Sequence, residues 1–276
     1  MASHEDASFL GHLDELALDA RLLVLDAVHT AGSGHVDSSF SVVEILTVLV
    51  HRLMRIDPTR PEWPERDRLV LSKGHAAPAL YAALTQRGFF PRSDLARLRQ
   101  IDSHLQGHPK PGTPGVDAPG GSLGQGLSFA CGLAYAQREL HRWPSRSYAV
   151  LSDGELDEGQ TWEAIMFAAH QALANLTLIV DANGLQYTGP TASVLDLEPI
   201  ADRLAAFGWS VTVADGHSCA ELIEAFTRAD GQTPHAVVAR TVKGKGVSFL
   251  ENNLSWHGKV PDDTEYAAAR QELTGP

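Results

Sequence analysis

The fold is decided by two stretches, LSDGELDEGQ at residues 151–160 and DANGL at residues 181–185. Each follows a short apolar run, Tyr148 to Leu151 before the first and Leu176 to Val180 before the second, so each is predicted to be the polar end of a buried strand. Residues 162–173 lie between these strands and carry apolar side chains at helical spacing. The unit is therefore strand, loop, helix, strand, loop.

A crossover of this kind makes both strands parallel, with their carboxyl ends at the same edge of one sheet. Asp153 and Asn183 are therefore expected to be neighbours in space, although they lie far apart in the sequence. Each is also followed by glycine, and taken alone each pair is typical of an ordinary turn at a strand end.

The rest of the chain alternates helix and strand patterns, which predicts an α/β fold with a doubly wound, mostly parallel sheet and helices on both faces. Ser41 and Glu44 form a capping-box pattern for a helix that would end near Met54. Residues 1–242 are interpreted as one α/β domain, and residues 243–276 as a C-terminal tail carrying Trp256-His257-Gly258. The further predicted helices are 13–30, 78–86, 94–99, 124–140, one ending near 207, and 220–227; the further strands are 68–71, 210–214 and 236–240.

The composition excludes several classes of protein. A net charge of −12 argues against general affinity for nucleic acid or an anionic membrane. The acidic start, Met1 to Glu15, lacks the pattern of a signal peptide, and no apolar run approaches the ~18 residues of a membrane span. Cys131 and Cys219 lie far apart in apolar contexts, as reduced thiols of a cytoplasmic protein do.

The residues at the two strand ends favour a magnesium site. The Asp153 carboxylate, the Asn183 amide and the Leu185 carbonyl are hard oxygen ligands that suit Mg²⁺ or Ca²⁺. Mg²⁺ prefers to complete its coordination with phosphate and water, so this set leaves room for a diphosphate. Gly154 and the loop from Gly121 to Gly124 are placed to donate amide N–H groups to such a ligand.

Two nucleotide-binding patterns are incomplete. Phe129 stands where a dinucleotide fingerprint needs its third glycine, and residues 243–246, KGKG, lack the spacing of a phosphate-binding P-loop.

Four histidines, His35, His75, His108 and His257, lie in separate loops that contain glycine. A single histidine in a loop is usually a solvated surface residue. Four of them, several at predicted strand or helix ends, point instead to a shared cleft.

The order of these motifs resembles that of transketolase. The resemblance lies in residues 31–35 (AGSGH), 67–75 (DRLVLSKGH), 106–109 (QGHP), 113–116 (TPGV), 121–127 (GSLGQGL) and the run from Asp153 to Asn183. That run looks like the family's thiamine diphosphate motif, although Ser152 replaces its usual first glycine, and Ser122 stands where many members have proline.

The resemblance implies the diphosphate-binding domain of the thiamine diphosphate fold. The implied cofactor is thiamine diphosphate with Mg²⁺, for which Ca²⁺ or Mn²⁺ can substitute, and the implied metal ligands are Asp153, Asn183 and the Leu185 carbonyl. Glu158 is expected to face a partner and to help connect paired cofactor sites. The implied catalytic residues are His35, His75, His108 and His257. The implied cofactor-binding residues are His75, Gly121, Leu123, Gly154, Glu155, Glu158, Asn183 and His257.

The resemblance covers about the first half of a full-length transketolase, so the chain is expected to be the N-terminal subunit of a split enzyme. A C-terminal partner would carry the pyrimidine-binding domain and the catalytic glutamate, in a heterotetramer of two copies of each chain. Together they would move a two-carbon ketol unit from a ketose, such as a sugar phosphate, to an aldehyde acceptor. Two alternatives remain open: a subunit of a thiamine-dependent 2-oxoacid dehydrogenase or lyase, and a non-catalytic cofactor-binding subunit.

Overall fold

The computed structural model describes residues 4–275, with side chains described from residue 8 onward. The strands are β1 (Arg68–Leu71), β2 (Ser147–Ser152), β3 (Leu176–Ala182), β4 (Leu185–Gln186), β5 (Gly189–Pro190), β6 (Ser210–Asp215) and β7 (His235–Arg240). The α-helices are α1 (His4–Ala31), α2 (Val36–Phe40), α3 (Val43–Val48), α4 (Ala77–Arg87), α5 (Gln125–Tyr135), α6 (Gly159–His170), α7 (Thr191–Val194), α8 (Ile200–Ala206), α9 (Cys219–Thr227) and α10 (Asp263–Thr274). Short 3₁₀ segments are Gly74–Ala76, Arg92–Arg97, Gly154–Asp157 and Leu254–Trp256, and π-helical turns are Leu49–Leu53 and Ala136–Leu140.

Five parallel strands form the central sheet in the order β1, β2, β3, β7, β6. Within it, Val150 of β2 pairs with Leu71 of β1 and Ile179 of β3. All five strands were predicted from their apolar runs, and the predicted parallel sheet is confirmed. The carboxyl ends of β1, β2 and β3 therefore open side by side at one edge of the sheet.

Helices cover both faces of this sheet, as predicted. Along β2, Tyr148 and Val150 point to the face packed by α1, α3, α4 and α9, whereas Ala149 and Leu151 point to the face packed by α5, α6 and α8. This alternation buries apolar side chains on both sides of each strand. Because the sheet is covered on both faces, a ligand must enter at the edge where the strands end.

The predicted capping box at Ser41 and Glu44 is wrong. The cap residue of α3 is Val42, and its side chain caps nothing. The Ser41 hydroxyl instead donates to the Asp181 carboxylate at 2.7 Å, and Glu44 pairs with Arg21 at 2.7 Å. The Ser41 hydroxyl and the Glu44 carboxylate therefore bind residues distant in sequence instead of capping the helix.

The segment after residue 242 packs against the body of the chain. Val247, Leu250, Trp256 and Ala269 are buried in the same apolar cluster as α1. α10, which the sequence analysis did not predict, begins at a capping box formed with Asp262 and packs on α1. Within residues 4–275, no helix combines the length and apolar character needed to cross a membrane.

Candidate active site

The loops after β2 and β3 are joined at the edge of the sheet. Oδ1 of Asp153 accepts a hydrogen bond of 2.9 Å from Gly154 N, and Oδ2 accepts one of 2.5 Å from Gly184 N. The predicted proximity of Asp153 to the turn that contains Asn183 is therefore confirmed. The carboxylate lies between the two turns.

The electrostatics of Asp153 suit a cation. Burial raises the pKa of its carboxyl to about 6, and the nearby charge of Asp181 acts in the same direction. Asn183 lies in the adjoining turn, where its Oδ1 accepts from Leu185 N at 3.0 Å. A cation beside these oxygens would offset the buried negative charge, so the residues present fit a hard divalent ion.

A buried ion pair lies behind these loops. Lys73, two residues after β1, donates to Asp181 near the end of β3, and both side chains are almost fully buried. Burial alone would raise the pKa of Asp181, but Lys73 and neighbouring hydrogen-bond donors hold it below its ordinary value. The same carboxylate accepts from Asn183 Nδ2 at 3.2 Å. Lys73 and Asp181 therefore fix the orientation of the Asn183 amide.

A cavity of about 270 Å³ opens at this edge of the sheet. Of the predicted site residues it is lined by His75, Leu123, Gly154, Glu158, Asn183, Leu185 and His257. Its other lining residues are Lys73, Ser152, Asp157, Gln186, Tyr187, Thr188 and Lys243. Lys73 and Lys243 were not predicted to be site residues, although Lys73 lies in the motif at residues 67–75 and Lys243 begins the KGKG stretch.

The remaining predicted residues lie beside the cavity rather than in its wall: Asp153, Gly121, Glu155, His35 and His108. Glu155 is fully buried, and its Oε1 accepts from the Ser72 hydroxyl and from Gly124 N, the latter at 2.8 Å. Glu155 therefore holds the glycine loop against the end of β1. Gly121 has a φ of 127°, and a Cβ there would lie 3.1 Å from the His108 ring.

Three of the four predicted histidines form a cluster. The ring centroids are 5.3 Å apart for His35 and His75, 5.1 Å for His35 and His257, and 5.6 Å for His75 and His257. Burial lowers the pKa of His35 to about 4 and that of His75 well below its ordinary value. Burial and Lys243 also lower the pKa of His257. The three rings are therefore neutral imidazoles at neutral pH.

His108 stands apart from this cluster. Its side chain is exposed and contacts the glycine loop at Gly121 rather than the three clustered rings. The structure thus brings three of the four predicted histidines together, with the fourth at the rim.

Residues 14–275 match the family model described as "Transketolase, thiamine diphosphate binding domain". The chain belongs to the transketolase family. Among solved transketolases, that from Leishmania mexicana superposes with a TM-score of 0.90 at 30% identity, covering 99% of this chain and 42% of the other. That from Campylobacter jejuni gives 0.89 at 31% identity, covering 95% and 42%.

Transketolase relatives of two lengths match this chain. The transketolase of Pongo abelii is 44% identical over 92% of this chain, and the match covers 41% of the relative. This chain therefore spans less than half the length of that transketolase. The 6-deoxy-6-sulfo-D-fructose transketolase subunit SqwG of a Clostridium species is 45% identical, and that match covers 92% of this chain and 93% of the relative.

One surface beside the site is apolar and exposed. The face of α5 and α6 is formed by Phe129, Tyr135, Met166 and Phe167, each at least 36% exposed. The rings of Tyr135 and Phe167 lie 6.3 Å apart, so the exposed side chains of α5 and α6 meet at this point. Exposed apolar patches of this kind mark protein interfaces. Glu158 is exposed at the start of α6, between this face and the cavity.

Proposed function

We propose that this protein is the thiamine diphosphate-binding subunit of a two-polypeptide transketolase. It would transfer a two-carbon ketol unit from a ketose to an aldehyde, together with a second chain. The observation that carries this proposal is the cavity at the sheet edge, where the Asp153 and Asn183 turns meet three neutral histidines. The similarity to a Clostridium protein named as a transketolase subunit, over nearly its whole length, supports the two-chain arrangement.

The cofactor would be held at the sheet edge through a divalent ion. Asp153, Asn183 and the Leu185 carbonyl would bind Mg²⁺, and Ca²⁺ or Mn²⁺ would be accepted in its place because the ligands are hard oxygens. His75, Leu123, Gly154 and Asn183 line the cavity that would take the diphosphate and thiazolium. When bound, thiamine diphosphate supplies the electron sink for breaking and forming the carbon–carbon bond.

The histidines would serve the sugar. His35, His75 and His257 are neutral at neutral pH, so each can accept a proton from one hydroxyl and return it to another oxygen. His108, exposed at the rim, would hydrogen-bond a sugar hydroxyl.

The partner would cover the α5/α6 face. A chain carrying the pyrimidine-binding domain and the catalytic glutamate would bury the four exposed apolar residues and meet Glu158 at the entrance. Two copies of each chain would give a heterotetramer with paired cofactor sites. The exposure of Phe129, Met166 and Phe167, on the same helix that begins next to the cavity-lining Glu158 or on the helix packed against it, supports this placement.

The substrates would be ketoses with an anionic group at the far end. The Clostridium relative is named for 6-deoxy-6-sulfo-D-fructose, and a sugar phosphate offers a group of similar shape and charge. A place in cytoplasmic carbohydrate metabolism is supported by Cys131 and Cys219, which are free, buried thiols as expected in a reducing compartment.

The test is ketol transfer by the two purified chains with thiamine diphosphate and Mg²⁺. Fructose 6-phosphate and 6-deoxy-6-sulfo-D-fructose serve as donors in parallel reactions, each with an aldose phosphate acceptor. Mass spectrometry should detect a ketose two carbons longer than the acceptor. Decarboxylation of a 2-oxoacid without any ketol transfer would instead support the alternative reaction, which none of the relatives named above favours.

A further inference from the structure

A buried carboxylate, that of Asp37 in α2, lies next to the histidine cluster. Asp37 is fully buried, and its Oδ2 lies 3.1 Å from Lys243 Nζ and 3.8 Å from His257 Nδ1. Neither of its carboxylate oxygens makes a hydrogen bond among the residues whose side chains are described, and Nδ1 of His257 makes none either. An unsatisfied carboxylate oxygen inside a protein is costly, so its presence beside a proposed reaction centre requires an explanation.

The backbone at Asp37 is joined to the segment at Lys243. Its backbone carbonyl accepts a hydrogen bond of 3.0 Å from Gly244 N. Lys243 Nζ also donates to the hydroxyl of the neighbouring Ser38 at 2.8 Å. Together with the ion pair between Asp37 and Lys243, these contacts hold α2 against the segment at Lys243.

The surroundings of His257 are mostly unfavourable to a positive charge. Burial, Lys243 and Lys73 lower the pKa of His257, and Asp37 acts in the opposite direction. Asp37 opposes burial at His35 in the same way. The other titratable groups that face His257 are His75 and Tyr187, and His108 lies towards His35. Asp37 is therefore the negative charge placed to attract a proton on these rings.

We propose that Asp37 is a positioning residue for ketol transfer, which holds the protonated edge of His257 inward at Nδ1 and stabilises the imidazolium formed during the reaction. This inference rests on the proposed function. As the donor carbon–carbon bond breaks, its electron pair stays with the two-carbon unit, for which bound cofactor would be the electron sink. The proton of the adjacent sugar hydroxyl moves to Nε2 of His257, and the hydroxyl carbon becomes the carbonyl of the leaving aldehyde. When the new bond forms, the same proton moves to the oxygen of the acceptor aldehyde, and the imidazole is neutral again.

Nuclear magnetic resonance of the chain alone tests the first part. In wild-type protein labelled with ¹⁵N-histidine, His257, assigned with a His257→Gln variant, should carry its proton on Nδ1. Asp37→Asn should lower the pH at which His257 titrates by about 1 unit, the smaller end of the effect of a charge at this range. A wild-type proton on Nε2, or an unchanged titration in Asp37→Asn, would overturn the proposal. The wild-type reading stands even if the variant fails to fold.

Kinetics with the partner chain test the second part. Asp37→Asn should lower kcat about tenfold or more, which corresponds to about 1.4 kcal/mol. The Kd for thiamine diphosphate should stay within about threefold. Ser39→Ala is the matched control, because Ser39 lies in the same helix, is fully buried and makes no side-chain hydrogen bond; it should change neither quantity.

A parallel loss of kcat, cofactor affinity and melting temperature in Asp37→Asn would indicate a structural role and contradict the proposal. An inactive wild-type complex would count against the proposed function, and the resonance experiment would still decide the role of Asp37.

Discussion

Oδ2 of Asp153 accepts a hydrogen bond from the amide nitrogen of Gly184, so a carboxylate at the end of β2 holds the turn at the end of β3. This contact joins two loops that lie far apart in the sequence, one after β2 and one after β3. Any ligand bound through Asp153 is thereby fixed relative to Asn183 as well.

Asp153→Asn should remove metal-dependent cofactor binding. The amide keeps the size of the side chain but loses the charge that a divalent ion needs. Calorimetry with the partner present should show at least a tenfold weaker affinity for thiamine diphosphate in Mg²⁺, equivalent to about 1.4 kcal/mol. Asp202→Asn, an exposed carboxylate of α8, is the control. Equal affinities for wild type and Asp153→Asn would refute the assigned ligand.

Lys73→Met should strongly destabilise the chain. It leaves the carboxylate of Asp181 buried without its ammonium partner, a change that costs about 3–5 kcal/mol in comparable cases. Urea denaturation measures the loss. The double variant Lys73→Met with Asp181→Asn should recover part of it, because the unpaired charge is gone. A loss below about 1 kcal/mol in the single variant would show that the pair contributes little.

His51 should make the fold sensitive to acid. Burial and the nearby charge of Arg87 lower its pKa to about 4, below the value of 6.5 in an unfolded chain. Between pH 6.5 and 4 the unfolded chain binds a proton that the folded chain does not, so stability falls as the pH falls through this window. Above pH 6.5 the histidine has no such effect.

His51→Gln removes this group and gives the test. From pH 7.5 to pH 5.0, wild type should lose about 1 kcal/mol more stability than the variant, after allowance for the partial exposure of the ring. Urea denaturation at both pH values gives the difference. Parallel losses in the two proteins would show that His51 does not titrate as described.

Phe167→Lys should weaken binding of the partner chain. Phe167 is 43% exposed on the α5/α6 face, so burying its remaining surface contributes part of the about 1.5–3 kcal/mol for a fully buried phenylalanine, and lysine adds a charge to the interface. We expect at least a tenfold weaker association by calorimetry. Val213→Lys is the matched control, since Val213 is 51% exposed on β6 at the edge of the sheet. If Phe167→Lys left association unchanged, or weakened it no more than Val213→Lys does, the interface would lie elsewhere.

The sheet could be predicted because its signals are local. Each central strand is an apolar run such as Leu176 to Val180, and each ends abruptly in a polar turn. Parallel pairing then placed Asp153 beside the Asn183 turn, and the resemblance to transketolase placed His35, His75 and His257 together. These inferences needed only short-range patterns and the geometry of a parallel sheet.

The parts that escaped prediction depend on tertiary contacts. The pairing of Lys73 with Asp181 and of Asp37 with Lys243 joins residues with no sequence pattern between them. Ser41 and Glu44 match the sequence pattern of a capping box, but in the fold Ser41 bonds to Asp181 and Glu44 pairs with Arg21. α10 has few large apolar residues, so the helical spacing of apolar side chains is weak in its sequence. Its one fully buried residue is the small Ala269.

The central claim is that this chain forms half of a transketolase site, and the most direct measurement is ketol transfer by the chain alone and with its partner. With thiamine diphosphate, Mg²⁺, a ketose phosphate donor and an aldose acceptor, the isolated chain should give no product above the background without enzyme. Addition of the chain that carries the pyrimidine-binding domain should start turnover, saturating near equal amounts of the two chains. Sustained turnover by the isolated chain, with no increase when the second chain is added, would contradict the claim.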